Sequence, residues 1–210
     1  MLTDEVRLLA ARADLARLLA ASYYEPGEEF VEEQLFASVR EAAMGVDPAL
    51  GAVAKRLESA YAEAENEELL IDYVRLFHGP PRALAQPYAS VWLSMTTQTV
   101  MEDSTVAIMD LYREAGFEIA EDFRDLPDHV SVELECLYAL LFREAQACRN
   151  GPADKQQAAA LLRKRLLQEH LVGWLAQFSD AVIAQAQTPF YRALGELTRD
   201  YIAFEAAAQS

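Results

Sequence analysis

A long helical pattern runs through residues 125–149, DLPDHVSVELECLYALLFREAQACR. Asp128 follows a proline, and aspartate is among the residues that accept backbone N–H bonds at a helix start. Asn150-Gly151-Pro152 ends the pattern, because proline cannot continue a helix. The stretch therefore predicts a long helix that Asp128 caps. Its buried face is marked by apolar side chains every three to four residues, at Val130, Leu134, Leu137 and Leu141.

Helical patterns of the same kind continue on both sides of this stretch. Only 8 glycines and 8 prolines in 210 residues favour long helices over a turn-rich β architecture. Strand-like alternation and repeats of fixed period are absent from the sequence. The prediction is an all-α fold, one compact multi-helix domain over residues 1–210 with about eight to ten helices. The further helices are predicted at residues 4–23, 30–45, 48–61, 66–77, 88–93, 105–115, 154–168, 169–186 and 189–204.

Three of these helix boundaries carry strong local signals. Asp47-Pro48 and Thr188-Pro189 each combine a capping side chain with a proline at the first helical position. Gly116 is expected just past the end of the helix at 105–115, where a left-handed residue closes many helices.

The longest irregular stretch is residues 78–87, HGPPRALAQP. Three prolines and a glycine in ten residues exclude regular structure there. A loop of this length inside a helical domain is more often functional than a short connection. Phe77, Tyr88 and Trp92 flank it, and they are either core residues or the wall of an apolar groove that holds a peptide.

Acidic side chains dominate the first two thirds of the chain. Residues 1–135 hold 27 acidic and 10 basic side chains, a balance of −17, whereas residues 136–210 hold 7 and 8, a balance of +1. The total of −16 disfavours nucleic-acid binding, which needs clustered Lys and Arg. Nine carboxylates between 110 and 135 form either a solvated surface or a docking surface for a cationic segment. They are Asp110, Glu114, Glu118, Glu121, Asp122, Asp125, Asp128, Glu133 and Glu135.

The common motifs of catalysis and cofactor binding are missing. The sequence has no phosphate-binding Gly-x-x-x-x-Gly-Lys run, no Gly-x-Gly-x-x-Gly turn and no Gly-x-Ser-x-Gly elbow. Its 3 histidines lie outside any Cys/His cluster of zinc spacing. We therefore expect no catalytic residues, no metal site, no cofactor and no enzymatic activity.

The chain also lacks the features of an exported or membrane protein. The first residues, MLTDE, have neither a basic segment nor an apolar segment of a signal peptide. Apolar runs stay well short of the roughly 20 residues that span a bilayer. Cys136 and Cys148 would lie about 18 Å apart on one helix, too far for a disulfide. A cytoplasmic, reducing location without stable membrane insertion is expected.

The pair Asp128-His129 allows three interpretations. Asp128 can cap the helix with His129 merely in the first turn. The pair can instead contact a ligand at a helix start, or form half of a metal site with Glu133 one turn on. A metal-dependent helical hydrolase that uses these three side chains is the remaining enzymatic alternative.

Three motifs resemble those of the TorD/DmsD family of redox-enzyme maturation chaperones, with the NarJ-type chaperones as a related branch. They are YVRLFHGP at 73–80, PYAS at 87–90 and LPDHV at 126–130. The stretch from His170 to Tyr191 is similar to the C-terminal helices of that family. The likeness covers about residues 10 to 205, and the order and spacing of the motifs make it specific.

The resemblance implies an all-helical cytoplasmic chaperone for a molybdopterin-containing oxidoreductase. Such a chaperone binds the client's twin-arginine leader or apo form, assists cofactor insertion and proofreads before Tat export. A NarJ-type chaperone for a non-exported subunit is the alternative. The partner would be the catalytic subunit with its N-terminal leader, and the chaperone a monomer or a homodimer. By the same resemblance, the peptide-binding residues are Leu76, Phe77, Gly79, Pro80, Pro87, Tyr88, Ser90, Asp128 and His129.

Overall fold

The structure, a computed structural model, is helical throughout its regular parts. It describes residues 3–28, 30, 34–79, 82–93, 103–119 and 125–208. Within these ranges no strand forms, and the all-α prediction is confirmed. That residues 1–210 form one domain stays a prediction. The α helices are α1 (Asp4–Ser22), α2 (Leu35–Val46), α3 (Pro48–Glu63), α4 (Asn66–Tyr73), α5 (Ala89–Leu93), α6 (Asp103–Ala115), α7 (Val130–Asn150), α8 (Ala153–Arg165), α9 (Val172–Gln185) and α10 (Pro189–Ala207).

The helix boundaries with strong local signals are confirmed. Asp47 accepts from the backbone N of Ala49 at 2.7 Å and caps α3, with Pro48 at the first position. Thr188 caps α10 by accepting from the N of Tyr191 at 3.4 Å. Gly116 follows α6 with φ of +59°, the left-handed conformation that a helix end favours. All three signals lie within a few residues of the boundary that they define.

Two wide helical turns were not predicted. A π-helical segment, Val74–His78, continues α4 without a break and carries Leu76 and Phe77. A second one, Leu166–Leu171, joins α8 directly to α9. The predicted break between residues 168 and 169 is therefore wrong. Neither a glycine nor a proline stands there, so nothing ends the helix, and the wide turn only shifts its register.

The core is centred on helices from both ends of the chain. The first helix packs along α7, and α10 packs against both α3 and α9. Where they meet, Phe77 lies among aromatic rings, with centroids 5.9 Å from Tyr23, 6.1 Å from Phe178 and 5.6 Å from Tyr191. The π-helical segment before the proline-rich loop is thereby anchored in the core.

A buried ion network joins four helices on another side of the molecule. Arg12 of α1 donates twice to Glu205 of α10, with Nε–Oε1 and Nη2–Oε2 both at 2.7 Å. Arg163 of α8 donates to Glu144 of α7 with Nε–Oε2 at 2.8 Å. Its Nη1 also lies 3.8 Å from Oε2 of Glu205. Two cations and two carboxylates thus balance one another out of contact with water.

Candidate functional site

The Pro-Asp-His turn and the PYAS segment are held together by backbone hydrogen bonds. The N of Ala89 donates to the carbonyl of Asp128 at 3.0 Å, and the N of Val130 donates to the carbonyl of Pro87 at 2.8 Å. These bonds pair Tyr88 and His129 in an isolated antiparallel bridge. Two motifs that are about 40 residues apart in the chain therefore form one site.

Asp128 ties these two segments together and does not cap α7. Its Oδ2 accepts from the backbone N of Ser90 at 2.9 Å, and its side chain is 0% exposed. The N-cap residue is His129, whose Nδ1 accepts from the N of Ser131 at 3.2 Å. The cap prediction for Asp128 is wrong because a distant backbone donor, 38 residues back, takes its carboxylate.

His129 is uncharged at neutral pH. Burial lowers the pKa of its imidazole to about 4, and this outweighs the opposite effect of the nearby Asp125 and Asp128. Because Nδ1 accepts a hydrogen bond, the neutral ring carries its proton on Nε2. That nitrogen lies 4.0 Å from Oδ2 of Asp125. The ring also meets Tyr88 edge to face, with centroids 5.5 Å apart.

Asp125 is the carboxylate of this site that reaches the surface. Its Oδ1 accepts from the hydroxyl of Tyr88 and from the backbone N of Leu126, each at 2.8 Å. Oδ2 remains on the side of His129, and the side chain is 33% exposed. Burial, followed by the hydrogen bond to Asp125, raises the pKa of Tyr88, so the phenol stays protonated and donates. Asp125 thus has one oxygen held by two hydrogen bonds, while the other makes no hydrogen bond within the described residues.

Further tyrosines and carboxylates surround Asp125. The hydroxyl of Tyr24 donates to Oε1 of Glu135 at 2.9 Å, and its side chain is 39% exposed. Tyr73 lies near both Glu25 and Asp125, since after burial their charges contribute to raising its pKa to about 12. We call Tyr24, Glu25, Tyr88, Asp125 and Glu135 the tyrosine–carboxylate surface. Its negative charges and aromatic rings suit a guanidinium group, which pairs with carboxylates and stacks on rings.

The predicted peptide-binding residues divide into buried and accessible ones. Tyr88 and Gly79 are half-buried, and Pro80 lies outside the described residues. The buried residues hold the surface in place from below, while direct contact of any of the nine with a peptide stays a prediction. The buried set is Leu76, Phe77, Pro87, Ser90, Asp128 and His129.

Most of the nine acidic residues predicted as a possible docking surface are buried, are paired with an arginine or lie outside the described residues. Asp128 and Glu133 are buried. Asp110 pairs with Arg113 at 2.6 Å, and Glu114 pairs with Arg165 at 2.6 Å. Glu121 and Asp122 fall outside the described residues, and Glu118 is exposed near the end of the 103–119 range. Asp125 and Glu135 are the two that belong to the tyrosine–carboxylate surface.

Glu133 lies beneath this site as a buried acid. Its Oε2 accepts from the indole N of Trp174 at 3.1 Å, and Oε1 has no partner in the described part of the chain. Burial raises its pKa to about 8, and the charge of Asp128 adds to this effect. Among the described residues, no three His, Cys, Asp or Glu side chains are grouped to hold a metal ion. Asp128, His129 and Glu133, the suggested metal half-site, each use one atom in a structural hydrogen bond, while Oδ1 of Asp128 and Oε1 of Glu133 have no partner among the described residues.

Two residues of the surface were missed by sequence analysis. Tyr24 and Glu25 follow directly after α1, where they looked like the end of a helix before Pro26. Only the packing of α1 along α7 brings them to Glu135 and Asp125, more than 100 residues away. The available signal was weak, an aromatic residue beside an acid at a helix end.

None of the described helices combines the length and the apolar character of a membrane-spanning helix.

Comparison with solved structures supports the helical fold. A crystal structure from Archaeoglobus fulgidus, named for a role in redox enzyme maturation, shares the fold. It aligns with a TM-score of 0.56 at 18% identity and covers 91% of this chain and 93% of that one.

Sequence relatives agree with the fold comparison. The family described as nitrate reductase delta subunit matches residues 43–180. The Tat proofreading chaperone DmsD of Salmonella typhi is 30% identical over 185 residues, covering 88% of this chain and 83% of that protein. The chaperone protein TorD of Salmonella agona is 29% identical over 163 residues, covering 75% and 70%. The chain belongs to the nitrate reductase delta subunit family, within the TorD/DmsD group of redox-enzyme maturation chaperones.

Proposed function

We propose that this protein binds the N-terminal twin-arginine leader of a molybdopterin-containing oxidoreductase in the cytoplasm. By holding the leader, it keeps the apoenzyme from Tat export until the cofactor has been inserted. It acts by binding and not by catalysis. The carrying observation is Asp125, a carboxylate that is 33% exposed and has Oδ1 bound by Tyr88 and Leu126, so that only Oδ2 is left for a ligand.

Charge and shape support an arginine-bearing ligand. A guanidinium can donate to Oδ2 of Asp125 while its flat face lies on Tyr24 or Tyr88. Glu25 and Glu135 are two further acids on the same surface, which suits a second, adjacent arginine. The names of the relatives agree, since one is a Tat proofreading chaperone.

The uncharged state of His129 favours binding of an arginine to Asp125. A protonated imidazole beside Asp125 would compete with the arginine for the carboxylate. Because burial keeps the pKa of His129 at about 4, the acid stays unpaired with it at neutral pH. Acidification toward pH 4 is therefore expected to weaken leader binding.

Calorimetric titration with a leader peptide tests the proposal. Asp125→Asn removes the charge but keeps the shape, and it should weaken binding at least about tenfold, the equivalent of one charge-assisted bond. The matched control is Asp180→Asn, the same change on an exposed residue of α9 that pairs with Arg199 at 3.3 Å. The control should bind as tightly as the unchanged protein.

A peptide whose two arginines are replaced by glutamine completes a double-mutant cycle. If Asp125 binds an arginine, the losses from the two changes should overlap and not add. Equal affinity of Asp125→Asn and the unchanged protein would contradict the proposed site. The Asp128→Ala/His129→Ala double variant is expected to lose binding by breaking the bridge between the two segments, so its thermal stability must be measured beside its affinity.

The family that matches residues 43–180 is described as the nitrate reductase delta subunit, and this favours a second class of client. A NarJ-type function would require binding to an N-terminal segment of a non-exported subunit. Titration with such a segment, lacking the arginine pair, separates the two functions. Tight binding that ignores Asp125→Asn would favour the NarJ-type function.

A further inference from the structure

A cavity lies near the opposite end of α7 from the Pro-Asp-His turn. It has a volume of about 710 Å³ and opens between the last turns of α7 and the first turns of α8. Along α7 the cavity lining begins at Leu140, about 8 Å of helix rise beyond Glu135 of the tyrosine–carboxylate surface, and reaches Asn150, about 22 Å beyond it. Its size is within the usual range of small-molecule sites, about 300–1,000 Å³. The proposed leader function makes no use of it.

The lining is basic, in contrast to the rest of this acidic chain. Arg143, Arg149 and Lys155 line the cavity, and no carboxylate of the described residues does. The lining lies within residues 136–210, whose 7 acidic and 8 basic side chains nearly balance, so three cations without an acid are a local concentration of positive charge. Arg149 and Lys155 are exposed and make no ion pair within the described ranges.

Arg143 is fixed in position by two backbone carbonyls. Its guanidinium donates to the carbonyls of Ala115 and, at 3.1 Å, Gly116, which end α6. Carbonyl oxygens orient a cation without neutralising it as a carboxylate would. The cavity therefore combines one anchored cation with two unpaired ones.

The start of α8 adds to the positive field. Pro152 occupies the N-cap position and offers no side-chain acceptor to the first-turn N–H groups. The positive end of the helix dipole thus lies at the same opening, where Gly151 and Pro152 line the cavity, and the carboxylate of Asp154 in the first turn offsets part of it. Gly151 makes the sharp turn possible, since a Cβ there would lie 2.7 Å from the Cα of Ala147. This close approach brings the α8 start beside Arg149.

One wall of the cavity is apolar. Small and aliphatic side chains from α7 and α8 form it, with the amides of Gln146 and Asn150 at the margin. Small side chains leave room for a flat or branched group, and aliphatic ones exclude water from it. The wall consists of Leu140, Ala147, Ala158, Ala159 and Leu162.

We propose that this cavity binds a small organic anion. An acidic head group, a carboxylate, sulfonate or phosphate, lies against Arg149, Lys155 and the start of α8. The apolar body of the ligand lies against Leu162 and the alanines. This site is independent of the leader site, because the two share no lining residue.

Two fluorescent probes that differ in one group test the assignment. The first is 8-anilinonaphthalene-1-sulfonate, an aromatic anion, and the second is N-phenyl-1-naphthylamine, the same ring system without the sulfonate. Arg149→Gln/Lys155→Gln should raise the Kd of the sulfonate about tenfold or more. It should change the Kd of the uncharged amine less than about twofold.

The control has the same change of charge at another place. Arg17→Gln/Lys164→Gln removes one arginine and one lysine that are exposed and do not line the cavity. It should leave the affinity for both probes unchanged. Ala158→Trp, which fills the cavity from an exposed position, should abolish binding of both probes.

The results separate this proposal from the leader function. Equal sulfonate affinity of Arg149→Gln/Lys155→Gln and its control would overturn the anion site, and so would unchanged binding in Ala158→Trp. Displacement of the sulfonate by leader peptide, or by an acidic peptide alone, would also overturn it. None of these variants alters Asp125, so leader binding should persist in all of them whatever the probes show.

Discussion

Replacing Glu133 with glutamine should stabilise this protein, and the gain should grow as the pH rises. The carboxyl group is 0% exposed, and its Oε2 accepts from the indole N of Trp174 at 3.1 Å. A glutamine side chain can keep that bond through its amide oxygen. The substitution removes the free-energy cost of keeping a proton on a buried acid, because an amide is neutral at every pH in this range.

The magnitude follows from the pKa of Glu133, which burial raises from 4.5 to about 8. In the unfolded chain this acid loses its proton near pH 4.5, whereas the folded protein keeps the proton until about pH 8. The stability that it contributes is therefore complete below pH 4.5 and is lost as the pH rises toward 8. Each pH unit in that window is worth about 1.4 kcal/mol. Between pH 5 and 7.5 the difference between Glu133→Gln and the unchanged protein should grow by about 3 kcal/mol.

Urea denaturation followed by circular dichroism at pH 5, 6.25 and 7.5 measures this difference. His129 has the opposite pH dependence, because its lowered pKa destabilises the fold as the pH falls from 6.5 toward 4. Both proteins contain His129, so its effect cancels. Glu41→Gln, the same change on an exposed residue of α2, should shift the free energy of unfolding by less than about 0.5 kcal/mol. Parallel curves for Glu133→Gln and the unchanged protein would refute the reasoning.

Three other substitutions probe the fold. Gly116→Ala should cost about 1 kcal/mol, because its φ of +59° disfavours a side chain although no atom lies within 4 Å of the added Cβ; an unchanged Tm would contradict this. Glu205→Ala leaves Arg12 buried without its carboxylate and should cost about 3–5 kcal/mol in urea denaturation, whereas a loss below about 1 kcal/mol would show the network to be dispensable. Asp72→Ala removes an acceptor that the N and Oγ1 of Thr188 reach at 2.8 and 2.9 Å, and at least about 2 kcal/mol should be lost. Full stability of Asp72→Ala would show that the start of α10 does not depend on these hydrogen bonds.

Features set by neighbouring residues could be predicted from the sequence. Asp47 with Pro48 and Thr188 with Pro189 define helix starts because a cap and the N–H group that it accepts from lie within three residues. Gly116 follows the same logic at a helix end. The periodic apolar positions of α7 likewise predicted the long helix against which α1 packs.

Features set by distant residues could not be predicted in this way. Asp128 has the right side chain for a cap, but Ser90 offers it a backbone donor that only the folded chain brings near. Tyr24 and Glu135 meet across 111 residues for the same reason. The π-helical turn at 166–171 has no local breaker, so its residues look like an ordinary helix end followed by a helix start. In each case the local sequence pattern does not contain the contact that determines the structure.

The bridge between Tyr88 and His129 has a consequence for slow amide exchange with solvent. The N–H groups of Ala89, Ser90 and Val130 all bond across the two segments, so we expect them to open together when the segments separate. Their deuterium uptake is governed by a single opening event. A peptide bound on either segment would slow all three amides by the same factor, including those that it never touches. These three amides thus report occupancy of the site in the intact protein, without a label or a substitution.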